Sequence, residues 1–156
     1  MNQSRRDLLK ATGGVTVVAL AASAGVFKSG DAQAQEWNKA AFDTKNLQDT
    51  VKAFGGAAAT ESKDIAITSP DIAENGAVVP VSVASKLGKT ESISILVEKN
   101  PNALSASFDI PGGTEAFVST RVKMAQTSNV YALVKADGKY FYATKEIKVT
   151  LGGCGG

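Results

Sequence analysis

The sequence contains no histidine and only one cysteine, Cys154. Without imidazole, the chain lacks the usual general base, the Cys-His and Ser-His pairs of nucleophilic catalysis, and the commonest metal ligand. A lone cysteine cannot form an intramolecular disulfide, so its thiol is free, linked to another molecule or chemically modified. We therefore predict no catalytic residue, no metal site and no bound cofactor in this chain.

A concentrated excess of positive charge is also missing. Of the 17 Lys and Arg residues, four fall in residues 1–34, together with two of the 15 Asp and Glu residues, which leaves 13 charges of each sign in residues 35–156. Because binding to backbone phosphates requires a local excess of Lys and Arg, we expect no nucleic-acid partner.

The sequence has no run of about 20 strongly apolar residues of the kind that spans a membrane. Residues 11–27 are only mildly apolar and contain several Gly, Ser and Thr residues. They follow the pair Arg5 and Arg6 and precede the small-residue pattern Ala32-Gln33-Ala34. This order resembles a twin-arginine signal peptide, with Leu8 where the common pattern has phenylalanine.

We therefore predict a twin-arginine signal peptide over residues 1–34, cleavage after Ala34, and a folded protein exported to the periplasm. The alternatives are an amphipathic N-terminus that happens to contain arginine, and an uncleaved N-terminal anchor. A lipoprotein anchor is excluded by position, because its cysteine would directly follow the signal peptide. Since the twin-arginine route carries folded proteins and no cofactor motif is visible, a partner that folds with this chain is expected.

The predicted carrier domain, residues 35–151, begins with one short amphipathic helix. Leu47, Val51 and Phe54 recur at helical spacing, Asp43 or Thr44 can cap the helix, and Gly55 can end it. Beyond it the hydrophobic period changes to two, as expected for half-buried strands. The alternating runs are Ile65/Ile67, Val79/Val81/Val83, Ile93/Ile95/Val97, Ala106/Phe108/Ile110, Val118/Val122/Met124, Val130/Ala132/Val134 and Ile147/Val149/Leu151, with Tyr140 and Tyr142 opening the last run.

About seven short strands separated by turn residues predict an all-β, immunoglobulin-like antiparallel sandwich. Asp137-Gly138 is the strongest hairpin signal in the chain. Pro80 cannot donate to a ladder, so it should lie at a strand start, a bulge or an edge. Trp37, Phe42 and Phe117 fit either the core or a contact with a partner through an open sheet edge.

After Leu151 the chain consists of Gly152, Gly153, Cys154, Gly155 and Gly156. We call these residues 152–156 the arm. Glycine accepts most backbone conformations, so we predict a flexible arm that carries the thiol into narrow pockets. An unperturbed thiol with a pKa near 8.5 is only partly ionised at neutral pH, and nothing in the arm activates it. This combination favours a covalent carrier over a self-contained catalyst.

Three other roles for Cys154 remain open. The thiol can cross-link the chain to another protein through a disulfide, serve no purpose, or ligate a metal together with a partner. In the first case the sandwich is a non-catalytic periplasmic binding module. A cross-link needs no glycine on either side of the cysteine, whereas an arm that enters enzyme pockets does.

The arm and the strand before it, Val149-Thr150-Leu151-Gly152-Gly153-Cys154-Gly155-Gly156, resemble the SoxY family of thiosulfate-oxidising bacteria. Weaker similarity lies in Ile72-Ala73-Glu74-Asn75-Gly76, Lys99-Asn100-Pro101 and Thr120-Arg121-Val122-Lys123-Met124. The resemblance implies that Cys154 carries thiosulfate-derived sulfur as an S-thiosulfonate and then as sulfane sulfur. It also implies a heterodimer with a SoxZ-like β-sandwich subunit.

The resemblance further implies three partner enzymes that hold the cofactors this chain lacks. A haem-containing SoxAX-like enzyme joins thiosulfate to Cys154 oxidatively, and a manganese-dependent SoxB-like hydrolase releases sulfate. A SoxCD-like sulfur dehydrogenase, where present, oxidises the remaining sulfane sulfur. In this interpretation the chain is the substrate of these enzymes and not itself an enzyme.

Overall fold

A computed structural model describes residues 38–152, which form two α-helices and nine β-strands. The helices are α1 (Lys39–Phe42) and α2 (Leu47–Ala53). The strands are β1 (Ala59–Glu61), β2 (Ile65–Thr68), β3 (Ile72–Ala73), β4 (Val79–Ser85), β5 (Thr90–Val97), β6 (Leu104–Asp109), β7 (Phe117–Val122), β8 (Ser128–Ala136) and β9 (Lys139–Val149). The predicted signal peptide, its Arg5, Arg6 and Ala34, and Trp37 lie outside the described residues.

The strands form two sheets. The larger has the order β1-β9-β8-β5-β6, with β3 also paired to β9, and the smaller has the order β2-β4-β7. All pairings are antiparallel except those of β1 and β3, which both run parallel to β9. The predicted all-β sandwich with a helical N-terminal segment is confirmed.

The main core lies between the two sheets and is built from the residues whose alternation predicted the strands. Its buried members include Ile65, Val79, Val81, Val83, Ile93, Ile95, Val97, Val118, Val122, Met124, Val130, Ala132, Val134 and Ile147. Burial of these aliphatic side chains, at about 25 cal/mol for each Å² removed from water, is the main force that holds the sheets together.

A second core lies on the opposite face of the larger sheet, where α1 and α2 pack. It contains Ala41, Val51, Leu96, Ala103, Leu104, Leu133 and Tyr140. Strand β5 has five consecutive buried residues because both of its faces are covered. The predicted helix is α2, and its apolar stripe of Leu47, Val51 and Phe54 packs in this core as expected. Helix α1 was not predicted.

The capping residue of α2 differs from the prediction. Asn46 caps the helix, since its side-chain oxygen accepts from the Asp49 amide at 2.9 Å. Asp43 instead ends α1. Thr44 was wrongly predicted as a cap because its hydroxyl is engaged elsewhere, donating to the carbonyl of Ala41 at 2.6 Å.

Gly55 ends α2 as predicted, with φ of +84°. Its amide donates to the Lys52 carbonyl, and that of Gly56 donates to the Val51 carbonyl, which is the Schellman arrangement. The Asp137-Gly138 hairpin is also confirmed, because both residues have positive φ, 48° and 72°, as a type I′ turn requires.

Pro80 lies near the start of β4, opposite Arg121 of β7. The pairing of β4 with β2 begins only at Ser82, so no β2 residue pairs with Pro80. The prediction of a strand start is therefore correct, although β4 is the central strand of its sheet.

Candidate functional site

The candidate site is the root of the arm, which we define as residues 149–152. Among the predicted arm residues, the structure describes Gly152, whereas Gly153, Cys154, Gly155 and Gly156 lie outside the described residues. The geometry of the root shows which parts of the body determine where the arm begins.

The last residue of β9, Val149, and the residue after it, Thr150, are held on both sides. The Val149 amide donates to Thr127 Oγ1 at 2.9 Å. The Thr150 amide donates to the Ala73 carbonyl at 3.1 Å, which continues the parallel pairing of β3 with β9. Thr150 Oγ1 also donates to the Glu74 carbonyl at 3.0 Å. The chain thus leaves the sheet in a fixed direction.

Gly76 holds the next residue of the root. Its amide donates to the Leu151 carbonyl at 2.7 Å, and its own carbonyl accepts from the Met124 amide at 2.7 Å. Gly76 is buried although it lies in a turn, and Met124 is fully buried. The turn after β3 therefore links the root to the connection between β7 and β8.

Asn100 holds that connection from the other side. Its Nδ2 donates to the Lys123 carbonyl at 2.8 Å, and its Oδ1 accepts from the Ala125 amide at 3.0 Å. One side-chain amide thus satisfies the backbone on both sides of Met124. The donor and the acceptor of this amide supply the hydrogen bonds that a neighbouring strand would otherwise supply.

Gly152 is in close contact with this same connection. A Cβ atom added at Gly152 would collide with the Ala125 carbonyl oxygen. The residue must therefore be glycine because of a close backbone approach, which is a reason separate from the flexibility that the sequence suggested.

Three exposed aliphatic side chains lie in the root or in the segments bonded to it. Ile72 is 58% exposed, Val78 is 54% exposed and Leu151 is 66% exposed. Ile72 belongs to the strand paired with the end of β9, and Val78 follows the turn of Gly76, which bonds Leu151. Exposed apolar residues gathered in this way are typical of surfaces that contact other proteins.

A shallow groove of about 370 Å³ lies beside the connection that supports the root. It runs between β6 and the end of β7, and Asn100, Arg121 and Lys123 contribute to its wall. The three internal stretches that resemble SoxY meet at this connection. One contains Gly76, one contains Asn100, and one ends at Met124, and the first two bond the backbone around Met124.

The groups with shifted pKa values lie elsewhere on the described structure. A hydrogen bond from Lys135, at 2.8 Å, and one from the Gly138 amide lower the pKa of Glu91, and the same contact with Glu91 raises the pKa of Lys135. These groups lie at the hairpin that begins β9, about 35 Å of strand from the root. Burial raises the pKa of Tyr131 and that of Tyr140, both on the helix-covered face.

Within residues 38–152, no group of three or more Cys, His, Asp or Glu side chains has the arrangement of a metal site. No helix in this part of the chain is long and apolar enough to cross a membrane.

Sequence reasoning missed the residues that hold the root. Gly76 and Asn100 were noted as parts of the family resemblance, and no role followed from either. Asn100 contacts Ala125, 25 residues away, through a loop that has no hydrophobic period. The Asn-Gly and Asn-Pro pairs were the available signals, and they indicate turns without indicating what the turns contact.

The chain is similar to known sulfur oxidation proteins. The family model described as "Sulfur oxidation protein SoxY" matches residues 50–154. The structure is similar to that of the sulfur carrier protein SoxY from Chlorobium limicola f. thiosulfatophilum, with 40% identity and a TM-score of 0.58 over 66% of this chain and 96% of that chain.

A more distant structure is superoxide reductase (neelaredoxin) from Ignicoccus hospitalis, with 22% identity, a TM-score of 0.48, and coverage of 55% of this chain and 79% of that chain. Its similarity has no bearing on function. A comparison with curated protein sequences gave no match. The family match extends over more than half of the sequence and reaches the cysteine, so this chain belongs to the SoxY family of sulfur oxidation proteins.

Proposed function

We propose that this chain is a periplasmic sulfur carrier in which Cys154 covalently holds thiosulfate-derived sulfur while partner enzymes act on it. A sulfur-oxidation carrier role is supported by the family and by the SoxY structure from Chlorobium. The identity of the covalent site, the location and the partners are the further parts of the proposal.

The observation that carries the proposal is that the family match ends at residue 154, which is the only cysteine of the sequence. A carrier of oxidised sulfur needs a nucleophilic thiol that other proteins can reach. The root of the arm supports this role, because the body holds the backbone up to Gly152 and leaves the cysteine two residues beyond it.

The loading step is an oxidation. The thiol of Cys154 and thiosulfate form one S–S bond, giving a cysteine S-thiosulfonate, one proton and two electrons. The electrons require an acceptor, and we assign this role to a haem-containing SoxAX-like enzyme. Nothing in the carrier itself has to change oxidation state apart from the sulfur atoms.

The following steps remove the oxidised sulfur. Water attacks the terminal sulfonate, sulfate leaves with the cleavage of the S–S bond to that group, and a persulfide stays on Cys154. We assign this hydrolysis to a manganese-dependent SoxB-like enzyme. A SoxCD-like dehydrogenase, where present, oxidises the persulfide sulfur further.

A SoxZ-like β-sandwich subunit completes the proposed carrier. Within the described residues, β6 pairs only with β5 and β7 pairs only with β4, so each sheet has a free edge there. Free edges invite pairing with another chain. Export in the folded state by the twin-arginine route, with Arg5 and Arg6 as its signal and cleavage after Ala34, would allow the two subunits to cross together.

The test is intact mass spectrometry of the mature protein, isolated without reductant from cells grown on thiosulfate. We expect adducts of thiosulfonate and sulfane mass that disappear on reduction and are absent from Cys154→Ser. Far-UV circular dichroism of Cys154→Ser should match the unchanged protein, because the substitution lies beyond β9, the last strand of residues 38–152.

Two outcomes would contradict the proposal. Adducts that persist in Cys154→Ser would show that the sulfur is attached elsewhere. A free thiol, or only a disulfide-linked dimer, during active thiosulfate oxidation would indicate the cross-linked binding module instead.

A further inference from the structure

Asn100 has a position that the proposed chemistry does not explain. It lies in the loop between β5 and β6, yet both ends of its side-chain amide bond the connection between β7 and β8. That connection, residues 123–127, contains no strand of its own. Without Asn100, the Lys123 carbonyl and the Ala125 amide would lose their partners.

The same connection supports the root of the arm at two points. The Met124 amide bonds the Gly76 carbonyl, and the Gly76 amide bonds the Leu151 carbonyl, each at 2.7 Å. Gly152 lies against the Ala125 carbonyl oxygen so closely that no side chain fits between them. A shift of residues 123–125 therefore displaces Leu151 and Gly152 together.

We propose that Asn100 is a positioning residue that fixes Gly152 as the starting point of the arm. This inference rests on the proposed carrier function, and it assigns to the root a role that the sequence of the arm did not indicate. The thiol is then two residues from a fixed point and reaches about 7 Å from it. If the backbone after Thr150 were released, Thr150 would become the fixed point. The reach of the thiol from that point would double to about 14 Å, and the thiol would spread over a larger volume.

Two residues of the root, Val149 and Thr150, serve as an internal control for the other two. Val149 pairs with Ala73 of β3, and the Thr150 amide donates to the Ala73 carbonyl. Ala73 lies outside the connection that Asn100 bonds, so these contacts do not depend on Asn100. Loss of Asn100 should therefore release Leu151 and Gly152 but leave Val149 and Thr150 in place. A general loss of stability would affect all four residues.

The experiment compares Asn100→Ala with Asn102→Ala in the full chain. Asn102 is a matched control in the same loop, because its exposed side chain accepts from Lys45 Nζ at 2.7 Å and does not touch the root. In the unchanged protein, backbone ¹⁵N relaxation should give order parameters of about 0.85 for all four residues of the root. In Asn100→Ala the order parameters of Leu151 and Gly152 should fall below about 0.6. The amides of Gly76 and Met124 should exchange about tenfold faster with solvent in that variant, since roughly one hydrogen bond is lost for each.

A nitroxide attached to Cys154, the only cysteine, measures the position of the arm directly. Its paramagnetic broadening should be confined to amides around the root in the unchanged protein and in Asn102→Ala. In Asn100→Ala it should extend to amides further away, while Val134 in the core keeps its order parameter. Asn100→Asp, which retains the acceptor for the Ala125 amide, replaces the alanine variant if that variant does not fold.

An identical broadening pattern and identical order parameters in Asn100→Ala would overturn the positioning role. Release of Val149 and Thr150 together with Leu151 would also overturn it, because the effect would then be general. Neither measurement depends on thiosulfate or on a partner enzyme, so a failure of sulfur loading at Cys154 would contradict the carrier proposal and leave this test unaffected.

Discussion

Gly152 is the residue at which body and arm meet, and its backbone contact gives a prediction. In Gly152→Ala the new Cβ would collide with the Ala125 carbonyl oxygen, which cannot rotate away. The easiest relief is separation of the root from Gly76, at the cost of the bond between the Gly76 amide and the Leu151 carbonyl. We therefore expect the free energy of unfolding to fall by about 1 kcal/mol, the worth of one such hydrogen bond.

Urea denaturation measures that change, and Gly153→Ala is the control that adds the same methyl group one residue later. The control should unfold like the unchanged protein. A loss of equal size in both variants would mean that the contact between Gly152 and Ala125 does not determine the root.

Single residues also show why some features were predictable. Gly55 and the pair Asp137-Gly138 have positive φ for reasons contained within a few neighbouring residues, so the sequence revealed them. Asn100 and Gly152 act through Ala125, which is distant in the sequence. Asn46 was missed as a cap because Asp43 and Thr44 are also favoured capping types, and only the start of α2 distinguishes them.

At the scale of strands, Glu91 joins two elements and makes stability depend on pH. The register between β5 and β8 shifts between Thr90 and Ser92, and Glu91 is the extra residue. Its carboxylate accepts from Lys135 and from the Gly138 amide in the β8–β9 hairpin, both at 2.8 Å, and these bonds lower its pKa from the ordinary value of 4.5.

A lowered pKa means that the folded state binds the proton more weakly than the unfolded state does. Glu91 therefore contributes stability above pH 4.5 that is lost as the pH falls through its lower folded-state pKa. We expect Glu91→Gln to be less stable than the unchanged protein at pH 7, with the difference shrinking as the pH falls below 4.5. The side chain is solvent-exposed, so screening by salt should reduce the difference.

Urea denaturation at a series of pH values checks this, with Glu115→Gln as the control. Glu115 is an exposed glutamate in the loop before β7. A difference between Glu91→Gln and the unchanged protein that stays constant down to pH 2 would show that the effect is not due to the charge.

The strands that the sequence predicted are those with a repeated hydrophobic period. Each of the seven alternating runs corresponds to a strand, and these strands are β2, β4, β5, β6, β7, β8 and β9. Strands β1 and β3 were missed because they have three and two residues, too few to show a period. Both pair in parallel with β9, and β3 supports the root of the arm, so the missed elements bear directly on the candidate site.

At the scale of the whole molecule, the larger sheet is the shared wall of two cores. Strand β8 presents Ala132 and Val134 to the smaller sheet and Leu133 to the helices. Because alternate residues of one strand belong to different cores, neither core can be lost without disturbing the strand that both share. The sandwich and its helices should therefore unfold as one cooperative unit.

This cooperativity is testable with one large-to-small substitution in each core. Ile95→Ala, between the sheets, and Leu133→Ala, on the helix side, each remove a buried side chain and should each cost about 3 kcal/mol. Ile72→Ala is the control, because that isoleucine is 58% exposed and its loss should cost about 0.5 kcal/mol or less.

Two signals can follow the two cores separately. The three tyrosines of the sequence all lie in or against the helix-side core, so their absorbance reports on that face, whereas far-UV circular dichroism reports on the sheets. If the unit is cooperative, both signals should give the same urea midpoint in every variant, and Leu133→Ala should shift the sheet signal as much as the tyrosine signal. A tyrosine transition that moves alone in Leu133→Ala would mean that the helices detach from a sandwich that is still folded, and that the arm is attached to a body with two independent parts.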